Sequence, residues 1–239
     1  MSTIYAAENL WSTDLDEHRG RLTKDGIRLH DTADFAGMRA AGRLAADILD
    51  RIADDVYPGQ TTGALDRKIE AMVVAAGATS ATIGYKGYQH ASCISVNNVV
   101  CHGIPTHPIP KSGTEPVSRD LEKRRKDATL LDGDILNIDV TVVLDGWYGD
   151  SSRMYVAGKL SRKAERLMQV TYDALMIGID AVKPGNTFGD IGAAIQNYVE
   201  SQRMSVVREF CGHGLGRVFH APPNVLHYGK PGTKERLEE

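Results

Sequence analysis

A ten-residue pattern that occurs twice constrains the fold of this chain more than any other feature of its sequence. Residues 56–65 read VYPGQTTGAL, and residues 182–191, which lie 126 positions later, read VKPGNTFGDI. In each copy a Pro-Gly pair that stops one helix precedes a threonine that can cap the next. Apolar residues at helical spacing flank both copies. The repeat therefore predicts two related α/β halves around a shared cleft.

The charge balance and the apolar pattern exclude several classes of protein. The 239 residues include 28 basic and 31 acidic side chains, and the net charge of −3 is atypical of a general nucleic-acid binder. No apolar run approaches the ~18 residues of a membrane span, and the first 20 residues lack the pattern of a secretory signal. Three cysteines without a CxxC spacing, Cys93, Cys101 and Cys211, fit a reducing cytoplasm. We therefore expect a cytoplasmic protein that has neither a membrane nor a specific nucleic acid as its partner.

Hydrophobic periodicity predicts a mixed α/β (α+β) chain. Helices are expected over 33–56, from Thr61 to about Gly77, from Ser161 onward and after Thr187. Strands are expected in two hairpins and one single segment. In chain order these strands are 93–96 and 99–102, joined by an Asn97-Asn98 turn, 135–144 and 147–156, joined by Asp145-Gly146, and 205–211.

The chain is expected to consist of a tail and one domain. Residues 1–32 are polar and weakly patterned, so we expect an N-terminal tail on the surface of a single domain that spans 33–239. Within that domain, residues 106–130 are rich in proline and charge and have no apolar face, which is typical of an exposed inserted loop. Acidic neighbours dilute its basic run at 124–126, so a solvated loop is favoured over an RNA contact.

Two aspartates mark a candidate metal site. In the first strand of the second hairpin the even-numbered positions are apolar, so Asp139 lies on the opposite, polar face. A two-residue turn at Asp145-Gly146 places Asp150 opposite Thr141, which makes the two aspartates diagonal neighbours, roughly 7–8 Å apart at the backbone. Carboxylates at this separation repel each other unless a cation lies between them. The alternative is a pair of solvated aspartates on an exposed face.

Three histidines accompany the aspartates. His213 lies between two glycines, which let a backbone approach a ligand closely. His220 follows seven residues later, and His102 ends the first predicted hairpin. A single histidine is more often structural than functional, but one imidazole with paired carboxylates favours a hard or borderline ion such as Mn, Fe, Co or Zn. No GxSxG, HExxH or GxxxxGK[ST] motif suggests a rival chemistry.

Several longer blocks, present in order over about residues 33–235, make the sequence resemble the type I methionine aminopeptidases. The blocks are MRAAGR (38–43), GYKGY (84–88), CISVN (93–97), VCHGIP (100–105), DILNIDVT (134–141), GD (149–150) and CGHGLG (211–216). The resemblance implies a pita-bread fold, in which two pseudo-symmetric α/β halves surround a dinuclear metal site. Creatinases and prolidases share this fold, but the CHGIP and NIDVT stretches are closer to the methionine aminopeptidases.

The resemblance also implies a role for particular residues. Asp139, Asp150 and His213 would be metal ligands for two divalent ions per site, drawn from Co, Mn, Fe and Zn. His102 and His220 would be catalytic and substrate-binding residues that contact the substrate amide and the tetrahedral intermediate. The residues that would shape the methionine pocket are Tyr85, Tyr88, Cys93 and Phe219. The implied reaction is metal-assisted removal of methionine from nascent polypeptide N-termini by a monomer, with the ribosome as an implied further partner.

The sequence departs from the family pattern in three places. Gln89 replaces a usual proline, and the 106–130 loop is about 19 residues longer than in compact members. The family takes two further glutamate ligands from later strands, and the sequence ends at Glu239 before them, so the second half is expected to be incomplete. We therefore expect weak metal binding and poor or no turnover, whether the chain is a fragment, a truncated gene product or a degenerate copy. The alternative function is a non-catalytic pita-bread module that binds peptides or ribosomes.

Overall fold

A computed structural model describes residues 21–106 and 129–238, which form two compact units. The first unit is Asp31–Ser161, and the second is Arg162–Glu239 together with the segment that ends at His30. Most of the predicted N-terminal tail and of the predicted inserted loop lies outside the described residues. Of the tail, the part that is described forms a turn closed by an isolated antiparallel bridge between Leu22 and Arg28.

Two helices open the first unit close to their predicted positions. Helix α1 spans Thr32–Ile52 and continues as a short 3-10 turn, Ala53–Asp55, and helix α2 spans Thr62–Ala75. Asp31 caps α1 in a capping box, since its side chain accepts from backbone N–H groups of the first turn while the side chain of Asp34 accepts from the N–H of Asp31. The predicted helix is therefore confirmed.

The described part of the first unit, residues 31–106 and 129–161, forms an antiparallel sheet. Its strands are β1 (Thr79–Ser80), β2 (Ser92–Val96), β3 (Asp134–Leu144) and β4 (Trp147–Ala157). β4 pairs along one edge of β3, while β1 and β2 pair one after the other along the opposite edge. The two helices pack on this sheet and enclose one apolar core. Its largest fully buried side chains include Ile48, Leu49, Ile52, Leu65, Ile69, Leu136, Ile138, Val140 and Val142.

The predicted hairpin around Asn97-Asn98 is wrong. Asn97 has the expected positive φ of 52°, but residues 99–102 form no strand, and β2 pairs with β3 instead. The reason is that the Asn97 side chain bonds to the start of β3. Its Nδ2 donates to Asp134 Oδ1 (2.8 Å), and its Oδ1 accepts from the N–H of Ile135 (3.2 Å). The other edge of β2 contacts an irregular segment, where the N–H of Ile94 donates to the carbonyl of Gly103 (2.8 Å).

Within residues 21–30 and 162–238, the second unit forms two helices and one short strand pair. Helix α3 spans Arg162–Asp180, helix α4 spans Phe188–Ser201, and β5 (Gly212–Gly214) pairs with β6 (Ala221–Val225). The strand predicted over 205–211 is therefore wrong, because pairing begins only at the glycines. A Cβ on Gly214 would collide with the carbonyl oxygen of Pro222, so only glycine permits this close approach of β6.

Helix α3 buries its small residues and exposes several of its larger apolar ones. Val170, Ala174 and Gly178 are buried against α4, whereas Leu167 and Leu175 are 45% and 55% exposed. A Cβ on Gly178 would lie 2.8 Å from Ile195 Cδ1, so glycine lets the two helices approach closely. Within 21–106 and 129–238, no helix combines the length and apolarity needed to cross a membrane.

The two units repeat the same local structure, as the sequence pattern predicts. Helices α2 and α4 both have 14 residues, begin 126 positions apart and follow capping threonines, Thr61 and Thr187. Both helices end the same way, since the N–H of Ala78 donates to Val73 and the N–H of Met204 donates to Val199. The internal duplication is therefore a property of the backbone as well as of the sequence.

A second feature of the repeat is the segment that bonds to each helix start. The N–H of Gly59 donates to the carbonyl of Leu130 (2.7 Å), and the N–H of Gly185 donates to the carbonyl of Leu237 (2.9 Å). The two donors, Gly59 and Gly185, are 126 residues apart, but the two acceptors, Leu130 and Leu237, are only 107 residues apart. The difference of 19 residues matches the length by which the loop before Leu130 was inferred to be extended.

Candidate metal centre

The β3–β4 hairpin places the two candidate aspartates on one face. Asp145 and Gly146 both have positive φ (51° and 78°), as a tight hairpin turn requires. Eleven residues on each side then pair without a bulge, with Asp150 opposite Thr141. The predicted register is confirmed. Because residues two apart share a face, Asp139 and Asp150 are diagonal neighbours on the polar face of the hairpin.

A buried hydroxyl orients one of these carboxylates. Thr141 is 3% exposed, and its Oγ1 donates to Asp150 Oδ1 at 2.9 Å. A neutral donor on one carboxylate oxygen fixes the direction of the whole group, and this is the usual contribution of residues that support metal ligands. Next to it, Asn137 Nδ2 donates to Ser152 Oγ (3.2 Å), which ties the same face across the two strands.

Glycine contacts with α1 determine where β4 runs. A Cβ on Gly149 would collide with the carbonyl oxygen of Ala41, and a Cβ on Gly37 would collide with the indole of Trp147. Helix and strand therefore approach more closely than side chains would allow. Since Gly149 directly precedes Asp150, this contact also determines the position of the Asp150 carboxylate.

The second unit brings three of the predicted residues together. The ring centroids of His213 and His220 lie 4.5 Å apart, and Phe219 stacks on His220 with centroids 4.1 Å apart. His213 Nδ1 lies 2.9 Å from the carbonyl oxygen of Gly214. A carbonyl can only accept, so Nδ1 donates and a neutral ring carries its lone pair on Nε2. This tautomer is suited to metal ligation through Nε2.

Three of the four residues predicted to form the side-chain pocket, Tyr85, Tyr88 and Cys93, lie in or near β2, whereas Phe219 lies in the second unit. Tyr88 donates its hydroxyl proton to the carbonyl of Ser92 (2.9 Å). Cys93 is nine-tenths buried and lies directly opposite Asp139 in the sheet. Burial raises the pKa of Cys93 to about 11, with Tyr88 acting in the opposite direction. Burial is also the main cause that raises the pKa of Tyr88.

Two further predicted site residues, Tyr85 and His102, also lie in the first unit. Tyr85 is half-buried in a 3-10 turn, Tyr85–Gly87, and burial followed by the charge of Tyr148 raises its pKa. His102 is exposed, has a positive φ of 54° and directly precedes the residue that bonds to the edge of β2.

The structure gathers the predicted metal ligands only in part. Asp139 and Asp150 share one face, and His213 contacts His220. Among residues 21–106 and 129–238, no group of three or more His, Cys, Asp and Glu side chains is close enough together to hold an ion. The donor types nevertheless fit a metal of the predicted class, since two carboxylates and an imidazole suit hard or borderline cations.

Sequence reasoning missed one buried acid, which binds the segment directly before Cys93. Asp66 is 5% exposed and accepts hydrogen bonds from Ser92 and His90. The signal in the sequence is its position, because Asp66 falls among Leu65 and Ile69 on the buried face of an otherwise amphipathic helix.

Comparison with known proteins identifies the family. Residues 36–239 match Metallopeptidase family M24. The chain is 48% identical over 213 residues to a methionine aminopeptidase of Rickettsia prowazekii, covering 89% of this chain and 74% of that protein. It is 47% identical over 214 residues to the methionine aminopeptidase of Escherichia coli K12, with the same coverage.

The fold agrees with this sequence similarity. The crystal structure of the Rickettsia prowazekii methionine aminopeptidase matches with a TM-score of 0.80 over 89% of this chain and 78% of that one. The predicted pita-bread fold is thereby confirmed. The chain therefore belongs to metallopeptidase family M24 and, within that family of hydrolases, to the methionine aminopeptidases.

Proposed function

We propose that this protein removes the N-terminal methionine of nascent polypeptides by metal-dependent hydrolysis in the cytoplasm. The observation that carries the proposal is the Asp139–Asp150 pair, held on one face of an unbroken hairpin and oriented by Thr141. Two carboxylates placed side by side are stable when a cation offsets their repulsion. The relatives named methionine aminopeptidase supply the substrate class.

The ligands in this proposal are Asp139, Asp150 and His213. Their mixture of carboxylate oxygen and imidazole nitrogen suits Mn, Fe, Co or Zn, and two ions per site are proposed, as in the resemblance. A bound divalent ion polarises a scissile carbonyl and acidifies water toward neutral pH. The chain itself supplies the orientation, through the Thr141 hydroxyl at Asp150 and the Gly214 carbonyl at His213.

Two histidines are proposed to handle the peptide rather than the metal. The His220 ring stacks on Phe219 and also meets the His213 ring at a tilt of 60°, so two ring contacts restrict its direction. His102 is exposed, so a peptide that arrives from solvent can contact it. An imidazole in either position can donate to the substrate amide or to the oxyanion of the tetrahedral intermediate.

The pocket for the methionine side chain is proposed to consist of Tyr85, Tyr88, Cys93 and Phe219. Cys93 lies opposite Asp139 in the sheet, so this wall of the pocket adjoins a proposed metal ligand. A residue that binds the first side chain must lie near the group that acts on the first peptide bond. Aromatic edges and a thiol are favourable neighbours for a thioether.

The proposed partners follow from this reaction. The protein would act as a monomer on nascent N-termini, with the ribosome as a further partner. A non-catalytic peptide-binding module is not favoured, since the relatives that match 89% of the chain are named as aminopeptidases.

The test is release of free methionine from a methionyl tripeptide, with protein in excess over peptide so that slow turnover is visible. We expect release after loading with Mn or Co and none after chelation. Asp150→Asn should abolish it, whereas Asp54→Asn, which removes an exposed carboxylate of the same unit, should leave it unchanged. Release that persists after chelation, or that is absent from the metal-loaded protein, would contradict the proposal.

A further inference from the structure

A buried acid on α2 binds three donors from one short segment. Asp66 Oδ1 accepts from the N–H of Ser92 (2.9 Å) and from its Oγ (2.7 Å), and Asp66 Oδ2 lies 3.0 Å from His90 Nδ1. Asp66 is 5% exposed and Ser92 is fully buried. A carboxylate is rarely buried unless donors of this kind compensate the loss of water.

The bonded segment carries the proposed pocket wall. Tyr88 donates to the carbonyl of Ser92 (2.9 Å), and its ring meets that of His90 edge-on, with centroids 5.5 Å apart. Cys93 directly follows Ser92, whose N–H and hydroxyl both donate to Asp66. Both proposed pocket residues are therefore tied to the two residues that Asp66 binds.

Two hydroxyls, one in β1 and one just after it, also donate hydrogen bonds to the segment that Asp66 binds. Ser80 Oγ donates to the carbonyl of Ala91 (2.9 Å), and Thr82 Oγ1 donates to the carbonyl of His90 (2.7 Å). These bonds fix carbonyl groups only. Asp66 is the acceptor that fixes the backbone N–H and the hydroxyl of Ser92, which set the direction of the chain into Cys93.

We propose that Asp66 is a positioning residue for side-chain selectivity: through Ser92 and His90 it fixes the Tyr88 phenol and the Cys93 thiol that would receive the first side chain of the peptide. The inference rests on the proposed function and extends it to a residue that does not touch substrate. Selectivity between similar apolar side chains depends on small differences in fit. A small shift of Tyr88 and Cys93 should therefore reduce selectivity before it reduces the rate of hydrolysis.

The experiment compares Asp66→Ala with Asp66→Asn. Asparagine keeps an oxygen that can accept from Ser92, whereas alanine removes every acceptor. Glu70→Ala is the matched control, because Glu70 is an exposed acid on the same helix. One readout is the ratio of kcat/KM for a methionyl peptide to that for the matching leucyl peptide. The second is the rate at which iodoacetamide alkylates Cys93, mapped by mass spectrometry against Cys101 and Cys211 in the same chain.

We expect Asp66→Ala to lower the methionine-to-leucine ratio about tenfold, mainly through a higher KM for the methionyl peptide. Alkylation of Cys93 should accelerate in Asp66→Ala, while Cys101 and Cys211 react as before. Asp66→Asn should restore most of both properties, and Glu70→Ala should match the unaltered chain. If Asp66→Ala does not fold, His90→Ala serves in its place, since it removes one donor and the ring contact with Tyr88.

Two results would overturn the inference. One is an equal fall in kcat/KM for both peptides, which would mark Asp66 as a structural residue without a role in selectivity. The other is an unchanged rate of Cys93 alkylation in the variant. Alkylation needs neither metal nor turnover, so it decides the inference even where no methionine is released and the proposed function itself fails.

Discussion

At the scale of single residues, the Thr141 hydroxyl orients Asp150, one of the proposed metal ligands. Thr141→Val keeps the shape of the side chain but removes the hydrogen bond to Asp150 Oδ1. We expect metal affinity to fall about tenfold, because supporting donors typically contribute that much. Thr141→Ser retains the hydroxyl and is the control. Equal affinity of the valine and serine variants, measured by titration with Mn, would contradict this role.

Tyr155 makes the stability of the first unit depend on pH in the alkaline range. Its hydroxyl donates to the carbonyl of Leu49, and burial raises its pKa to about 12, with the charge of Arg153 opposing the rise. Since the folded state disfavours the phenolate, the bond stabilises the protein below the ordinary tyrosine pKa of about 10. That stability is lost as the pH rises from about 10 to 12.

Tyr155→Phe should therefore cost about 1 kcal/mol at neutral pH and reduce the loss of stability above about pH 10. Urea unfolding midpoints at several pH values measure both effects. The variant should retain a smaller alkaline slope, because burial raises the pKa of Tyr88 as well. An alkaline slope identical to that of the unaltered chain would show that Tyr155 is not the cause.

At the scale of elements, the contact between α1 and β4 depends on missing side chains. Gly149→Ala would force a methyl group into the carbonyl oxygen of Ala41, whereas Gly42→Ala, on α1, meets nothing within 4 Å. We expect Gly149→Ala to lower the free energy of unfolding by ~1–3 kcal/mol. Gly42→Ala should raise it by roughly 0.5–1 kcal/mol. Thermal unfolding compares the two, and a Gly149→Ala chain as stable as Gly42→Ala would be the contrary result.

The two predicted hairpins show what a turn sequence can and cannot determine. Asp145-Gly146 suits two successive positive φ angles, and the flanking strands alternate cleanly, so turn and pattern agree and the register was predictable. Asn97 also takes a positive φ. Its side chain, however, bonds to β3, about 38 residues away, and nothing in residues 93–102 indicates that distant partner.

At the scale of the whole molecule, the duplicated helix starts differ in one charged group. Thr187 forms a capping box with Asp190, whose Oδ2 accepts from the N–H of Thr187 (2.7 Å). In the first unit the N–H of Thr61 donates instead to Oε1 of the neutral Gln60 side chain (2.9 Å). Hydrogen bonds from Thr187 and from Gly232 lower the pKa of Asp190.

A lowered carboxyl pKa means that the stabilisation is present at neutral pH and is lost as the pH falls through that pKa, below about 4. We therefore expect acid to loosen the start of α4 while the start of α2 keeps its cap. Hydrogen-exchange protection of the Asp190 and Ala64 amides, followed from neutral pH to about pH 3, measures this difference. Parallel loss of protection at both amides would contradict it.

The repeat and the carboxylate pair were predictable because both depend on short-range spacing. The Pro-Gly-x-Thr pattern determines helix ends locally, and the Asp139–Asp150 face depends only on the turn between them. The network around Asp66 was not predictable. Its partner Ser92 is 26 residues away, and a polar residue on a buried helix face does not reveal which donor it meets.

The central claim is that Asp139 and Asp150, with His213, hold a divalent ion. The most direct measurement is titration of the metal-free protein with Co, followed by visible absorption, beside Asp150→Asn, Asp139→Asn and the Asp54→Asn control. We predict ligand-field bands for the unaltered chain and for Asp54→Asn, and weakened binding for both hairpin variants, because each loses an anionic ligand. Binding in Asp150→Asn and Asp139→Asn that is as strong as in the unaltered chain, or the absence of bands in the unaltered chain, would contradict the account.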